Sequence, residues 1–232
     1  MSNIRVAICI PSGDHVHADF AIHLAGLSNQ CKAHGDEPDI PIAIINVKSS
    51  LVACGRNELV QKALELGVTH CLFLDSDMVF PVTTLRRLLS HGVDIVGGTY
   101  IARKPPHVMH GKAEGGALLE DWAQTNAINP RELQRVDALP FGCMLVKTSV
   151  LANVAEASDD LPFQTPLYYN TLAGKQLIEG EDYFFCRRAR ELGHLVHLDW
   201  IISVNLRHLG QEAFQIPVSP AVEQEKKIEI VH

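Results

Sequence analysis

Residues 71–77 read Cys71-Leu72-Phe73-Leu74-Asp75-Ser76-Asp77: four apolar side chains, then two carboxylates two positions apart. A short apolar run bounded by turn formers reads as a strand buried on both faces. On its N-terminal side, 56–66 carries Leu59, Val60, Ala63 and Leu64 on one helical face, with Gly67 placed to end the helix. On its C-terminal side, 83–91 is a second helical stretch closed by Gly92, and 93–96 is again an apolar strand. Further towards the N-terminus, the runs 4–10 and 42–47 are strands, and 18–32 is a helix with Phe20, Ala21, Leu24 and Leu27 at helical spacing. Strands alternating with helices predict an α/β fold with a mostly parallel, Rossmann-like central sheet flanked by helices. Ligands of such sheets gather at the carboxyl ends of the strands. The polar residues after each strand (12–14, 48–50, 75–77 and 100–104) are therefore expected along one edge.

The second half is less regular. Residues 102–116, rich in Pro, Gly and His, read as a loop, and 159–175 as irregular chain. A strand at 143–147 leads into a helix at 149–157, 181–192 is a helix closed by Gly193, and 195–204 holds one or two strands. The mixed-charge stretch 223–229 suggests a surface helix or a frayed end. There is no internal repeat and no composition change that marks a linker.

Composition narrows the function. With 232 residues and 47% hydrophobic content, one large domain with a full core is expected. The 20 Lys and Arg are outnumbered by 27 Asp and Glu, for a net charge of −7, which argues against a sequence-independent grip on nucleic acid. Six scattered cysteines form no CxxC pair, so neither a zinc ribbon nor a dithiol redox centre is indicated, and a reduced, cytoplasmic protein is the simplest expectation. The N-terminus lacks the pattern of a signal peptide, and no run reaches the roughly 20 apolar residues of a membrane span.

Three signals carry chemistry. In an extended chain Asp75 and Asp77 face the same side, and two like charges so close favour a cation between or beside them. A divalent ion on oxygen ligands meets that need and also bridges phosphate oxygens. Asp is equally at home in an ordinary turn. Second, Gly180-Glu181-Asp182 opens a helix. Acids at a helix N-terminus are favoured by the macrodipole, and the same carboxylates suit a general base. Third, Arg207-His208-Leu209-Gly210 follows the last apolar run. His208 is a candidate metal ligand, although with 12 histidines in the chain any single one is more often an ordinary residue.

Taken in order, the segments at 54–57, 73–78, 97–100, 141–145, 180–186 and 208–210 resemble those of GT-A-fold glycosyltransferases, nearest to small, family 2-like members of bacteria and phages; the resemblance spans residues 4–210. It implies a single GT-A-type domain, with 1–100 as the nucleotide-binding half, 101–210 as the acceptor and catalytic half, and 211–232 as a tail. It implies a nucleotide-sugar donor, UDP most often, and Mn²⁺ or Mg²⁺. Asp75 and Asp77, with Ser76 between them, match the motif that meets metal and diphosphate, and His208 the late histidine that completes the metal site. Asp182 matches the catalytic carboxylate, with Glu181 beside it orienting the acceptor or the site. Arg56 matches a basic residue near the phosphates, and Pro11 and Ser12 the region that holds the nucleoside. Arg103 and Lys104, in a loop stiffened by Pro105 and Pro106, are placed to close over the pyrophosphate. The acceptor is left open: a glycan, a lipid-linked intermediate, a protein or a modified DNA base. So are a retaining mechanism, a sugar-phosphate nucleotidyltransferase and a non-catalytic nucleotide-sugar-binding module. The chain has neither a QxxRW stretch nor membrane helices, which argues against a processive polysaccharide synthase.

Overall fold

The computed structural model describes residues 4–33, 35–103, 105–170, 174–210 and 213–214. In chain order the elements are β1 (Val6–Ser12), α1 (Ala18–Gln30), β2 (Ile42–Lys48), α2 (Val52–Glu65), β3 (His70–Leu74), β4 (Met78–Val79), α3 (Thr84–Ser90) and β5 (Ile95–Gly97). There follow β6 (Lys112–Ala113), α4 (Leu119–Thr125), β7 (Gln134–Ala138), β8 (Cys143–Lys147), α5 (Thr148–Glu156), β9 (Leu167–Asn170) and β10 (Lys175–Ile178). The last are α6 (Glu181–Glu191), β11 (Val196–Leu198), α7 (Trp200–Asn205), β12 (Arg207–Leu209) and β13 (Ala213–Phe214).

Eight strands form one sheet in the order β2-β1-β3-β8-β5-β11-β7-β6. The pairs β1/β2, β1/β3 and β5/β11 are parallel, while β8 lies antiparallel between β3 and β5. Strands β7 and β8 run against the other six, so the sheet is mixed but mostly one-directional, the α/β Rossmann-like architecture expected from the alternating runs.

Alternation along the strands builds two cores. From β1, Ala7 and Cys9 enter one cluster and Val6, Ile8 and Ile10 the other; from β3, Cys71 and Phe73 face one way, Leu72 and Leu74 the opposite. Side chains of α2, α5 and α6 cover the first face, and those of α1, α3 and α7 the second. A strand that must be apolar on both faces loses the polar–apolar alternation of a half-exposed strand, which is why 71–74 is a continuous apolar run. The helix α2 ends at Gly67, whose φ of 61° lies where side chains are rarely tolerated.

Three expectations need correction. Residues 200–205 are helical, not strand: Asp199 caps them, its carboxylate accepting from the backbone N–H of Ile202 at 3.0 Å. The stretch 159–175, expected to be irregular, contains β9, the first strand of an antiparallel hairpin with β10. The loop 102–116 includes β6, at the sheet edge. Lys104 and the stretch 223–229 lie outside the described residues. No helix among the described residues is long and apolar enough to cross a membrane.

Candidate functional site

Strands β1 and β3 run parallel and end side by side. The residues that follow them line a cleft of about 250 Å³ with Pro11, Ser12, Asp75, Ser76, Asp77 and Arg103 in its walls. Seven of the sequence-predicted positions thus fall at one strand edge or directly behind it, once Arg56 is added. Ser12 is fixed from the neighbouring strand: Asn46 Nδ2 donates to Ser12 Oγ at 2.8 Å and to the Ile10 carbonyl at 2.9 Å. The cleft is smaller than the roughly 300–1,000 Å³ usual for ligand sites. One cause is Arg103, whose Nη1 reaches Asp77 Oδ2 at 2.7 Å and the Leu209 carbonyl at 3.3 Å.

The chain does not stay extended after β3. The Met78 N–H donates to the Asp75 carbonyl at 3.0 Å, so 75–78 is a turn, not the extended run assumed for placing both carboxylates on one side. They reach the same cleft by that turn and meet different partners. Asp77 faces His208, with His208 Nε2 3.6 Å from Asp77 Oδ2. Two short strands cause this: β12 pairs with β4, setting His208 opposite Met78, and the Leu209 N–H donates to the Asp77 carbonyl at 2.7 Å. The His208 ring is oriented by its Nδ1, which donates to the Ile101 carbonyl at 3.1 Å and leaves Nε2 towards Asp77. The Asp77 carboxyl is partly buried, which works against its charge, but His208 and Arg103 beside it bring its pKa below the usual aspartate range. Among the described residues no group of three or more His, Cys, Asp or Glu converges on one metal position.

Asp75 turns inward to Arg56. Arg56 Nη2 lies 3.0 and 3.2 Å from the two Asp75 carboxylate oxygens, and Nη1 lies 2.5 Å from Glu181 Oε1. The arginine is 3% exposed, and its guanidinium sits over the rings of Phe141 and Phe163, 5.5 and 5.9 Å from their centroids. Burial opposes its charge, but Asp75, Glu181 and Asp182 outweigh that and hold it firmly protonated. Arg56 is therefore not among the residues of the cleft wall, where a phosphate contact would need it; it joins the end of β3 to the start of α6. Glu181 is the other half of that clamp. Below the guanidinium, Phe73, Phe141, Phe163 and Phe185 pack with centroids 5.0–5.7 Å apart, a dry floor for the ion pair.

Asp182 follows Glu181 in the first turn of α6 and lines a second cavity of about 800 Å³. Burial raises its pKa to about 6, with the negative charges of Glu181 and Asp75 adding to the rise and Arg56 opposing it. Its Oδ1 accepts from the Tyr183 N–H at 2.8 Å. Tyr100 is close to Asp75, Asp77 and Asp182, and its ring contacts His208 at 4.9 Å and His110, which lines the second cavity, at 5.6 Å. The Tyr100 hydroxyl accepts from the Gly142 N–H at 3.2 Å, and a Cβ on Gly142 would stand 2.5 Å from that oxygen, so only glycine permits this approach. The β9–β10 hairpin forms a wall of that cavity, through Tyr168 and Ile178.

Asn46, Tyr100, Tyr183 and the hairpin were not singled out from the sequence as site residues. Tyr100 had a signal, since it follows the glycine pair after β5; Asn46 had none, because a polar residue in an edge strand reads as solvent-facing.

Comparison with protein-family models gives no match, and neither does comparison with curated proteins. Among solved structures, the crystal structure of A197 from STIV is similar with a TM-score of 0.53 at 15% sequence identity, over 93% of this chain and 95% of that one. At that identity the likeness concerns the fold alone.

Proposed function

We propose that this protein is a metal-dependent glycosyltransferase that moves a sugar from a nucleoside diphosphate, UDP most readily, to an acceptor hydroxyl. The observation that carries the reading is that Asp75, Asp77 and Asp182, which lines the second cavity, gather around Arg56 and Tyr100. The nucleotide would then lie in the cleft and the acceptor in the cavity, with the sugar to be transferred reaching Asp182.

The donor set fits a divalent ion of the Mn²⁺ type: one carboxylate oxygen from Asp77 and the Nε2 of His208, an imidazole nitrogen that Mg²⁺, which prefers oxygen, would take less readily. Such an ion neutralises charge on a departing diphosphate. Asp77 and His208 alone would hold the ion weakly, so metal and nucleotide are expected to bind together. Arg103 stands on Asp77 in their place and is free, once displaced, to meet the diphosphate as a bidentate partner.

In the transfer itself, Asp182 takes the proton of the acceptor hydroxyl. The acceptor oxygen bonds to the anomeric carbon, and the bond from that carbon to the diphosphate oxygen breaks, its electron pair leaving with the nucleotide. A pKa near 6 suits a base at neutral pH, ionised yet still basic enough to take a proton. One displacement inverts the anomeric centre. Six free thiols, with Cys9 and Cys71 adjacent and unbridged, favour a reducing compartment such as the cytoplasm.

Thermal shift against UDP, GDP, CDP and dTDP, with and without Mn²⁺, tests the donor half: one nucleotide should stabilise the protein strongly only with the ion. Turnover of the matching sugar nucleotide tests the rest. No stabilisation by any nucleotide with Mn²⁺ would sink the assignment.

A further inference from the structure

The cavity in front of Asp182 is lined by two cations, Lys112 and Arg187, and two carboxylates, Glu179 and Asp182, and the two cations differ in how they are paired. Arg187 is fully engaged: Nε and Nη2 lie 3.0 and 2.8 Å from the two carboxylate oxygens of Glu179, and Nη1 lies 2.8 Å from Glu191. His110 is kept towards its neutral form by burial and by His208 nearby. Lys112 remains. It is partly buried on β6, and among the described residues its ammonium contacts no carboxylate; it lies over the Tyr183 ring, 5.4 Å from the centroid. That ring is itself fixed, the Tyr183 hydroxyl accepting from the Gly111 N–H at 2.9 Å. Across the cavity, the hairpin presents Leu167, Tyr168 and Ile178, which are 66%, 45% and 67% exposed; Leu167 and Ile178 are cross-strand partners.

We infer that the acceptor is an acidic carbohydrate, a sugar carrying a carboxylate or phosphate group, with its anion on Lys112 and the apolar face of its ring against the hairpin. The inference rests on the reading of Asp182 as the base that meets the acceptor. The physical basis is a partly desolvated cation with a π face on one side and open cavity on the other. Aromatic contact compensates such a charge only in part, and an anion adds a charge-assisted hydrogen bond. A neutral sugar leaves the ammonium as it stands. Exposed apolar side chains, one of them aromatic, on a pocket wall suit the C–H face of a pyranose better than an open, highly hydrated anion.

The test needs no donor. The whole chain is titrated with glucuronic acid, glucose 6-phosphate, glucose and an acidic hexapeptide, read by ligand-observed NMR, and the series is repeated with Lys112→Met, Lys112→Arg and Tyr168→Ala. Acidic sugars are expected to bind about tenfold tighter than glucose or more. Lys112→Met abolishes that preference, Lys112→Arg keeps it, and Tyr168→Ala weakens every sugar. The stronger of the two acidic sugars tells carboxylate from phosphate. Equal binding of glucose, a preference that survives Lys112→Met, binding of the peptide alone, or no saturable binding of either acidic sugar would overturn the inference. Nucleotide binding is scored separately. If UDP with Mn²⁺ fails while the acidic sugars bind, the donor assignment falls and this one stands; the reverse pattern rejects this one alone.

Discussion

Asp182 has two measurable properties that pull in opposite directions. As the base, its replacement by Asn should reduce transfer by about 10²–10⁴-fold while leaving Mn²⁺-dependent nucleotide binding intact, as single-turnover kinetics and thermal shift would show. Its folded pKa of about 6 also lies above the roughly 3.9 of an unfolded aspartate. The folded state then holds the proton more tightly, so this group stabilises the fold below about pH 4 and loses that contribution as pH rises through 6. Two pKa units correspond to roughly 2 kcal/mol after allowance for partial exposure. Asp182→Asn, which cannot ionise, should therefore be at least as stable as the parent at pH 8, by urea denaturation, although nearly inactive. The same pKa sets the acid limb of kcat/KM: activity rises with pH and levels off above about 6. A limb centred near 4 would show that another group is the base. Asp77→Asn and His208→Ala should each remove the Mn²⁺ dependence of nucleotide binding without loss of the fold, because neither side chain belongs to the hydrophobic core.

The join between β3 and α6 belongs to the next scale. Arg56 meets Asp75 from one element and Glu181 from the other while 3% exposed. Removing it leaves two carboxylates short of their counter-ion, and breaking a buried pair costs about 3–5 kcal/mol. Arg56→Met is expected to lower the urea midpoint by that measure. Arg56→Lys should recover little, since an ammonium cannot span both acids as the planar fork does. Asp75→Asn and Glu181→Gln should couple by about 0.5–3 kcal/mol in a double-mutant cycle. Additive effects would mean that the guanidinium serves the two acids independently.

At the scale of the molecule, position in the sheet decides what a substitution costs. Leu145 is 2% exposed on β8, between β3 and β5, so Leu145→Ala should cost roughly 2–5 kcal/mol. Ile44 is 50% exposed on β2 at the sheet edge, and Ile44→Thr should stay within about 0.5 kcal/mol. The same contrast explains what the sequence let one read. The runs at β1 and β3 are buried on both faces, and their apolar continuity announced parallel strands ending in polar turns. Asp75, Asp77 and Asp182 were legible because a carboxylate just after an apolar strand or at a helix start is visible in one dimension. The hairpin was not: Leu167, Tyr168, Tyr169 and Ile178 are 45–67% exposed, so no core imposes a period on them. Nor was α7, whose residues Ile201, Ile202 and Val204 favour strands locally and are overruled by the Asp199 cap. The partners of Arg56 were not legible: the resemblance sets a basic residue near the phosphates, and only the fold brings Asp75 and Glu181 to it.

That arginine has a consequence for divergence. One cation shared by two acids from distant parts of the chain makes the three positions epistatic: losing the arginine leaves both acids without their counter-ion, and losing either acid leaves the buried guanidinium half-paired. A lineage that abandons the triad is expected to exchange all three together for apolar residues, since each single step passes through a poorly folding intermediate.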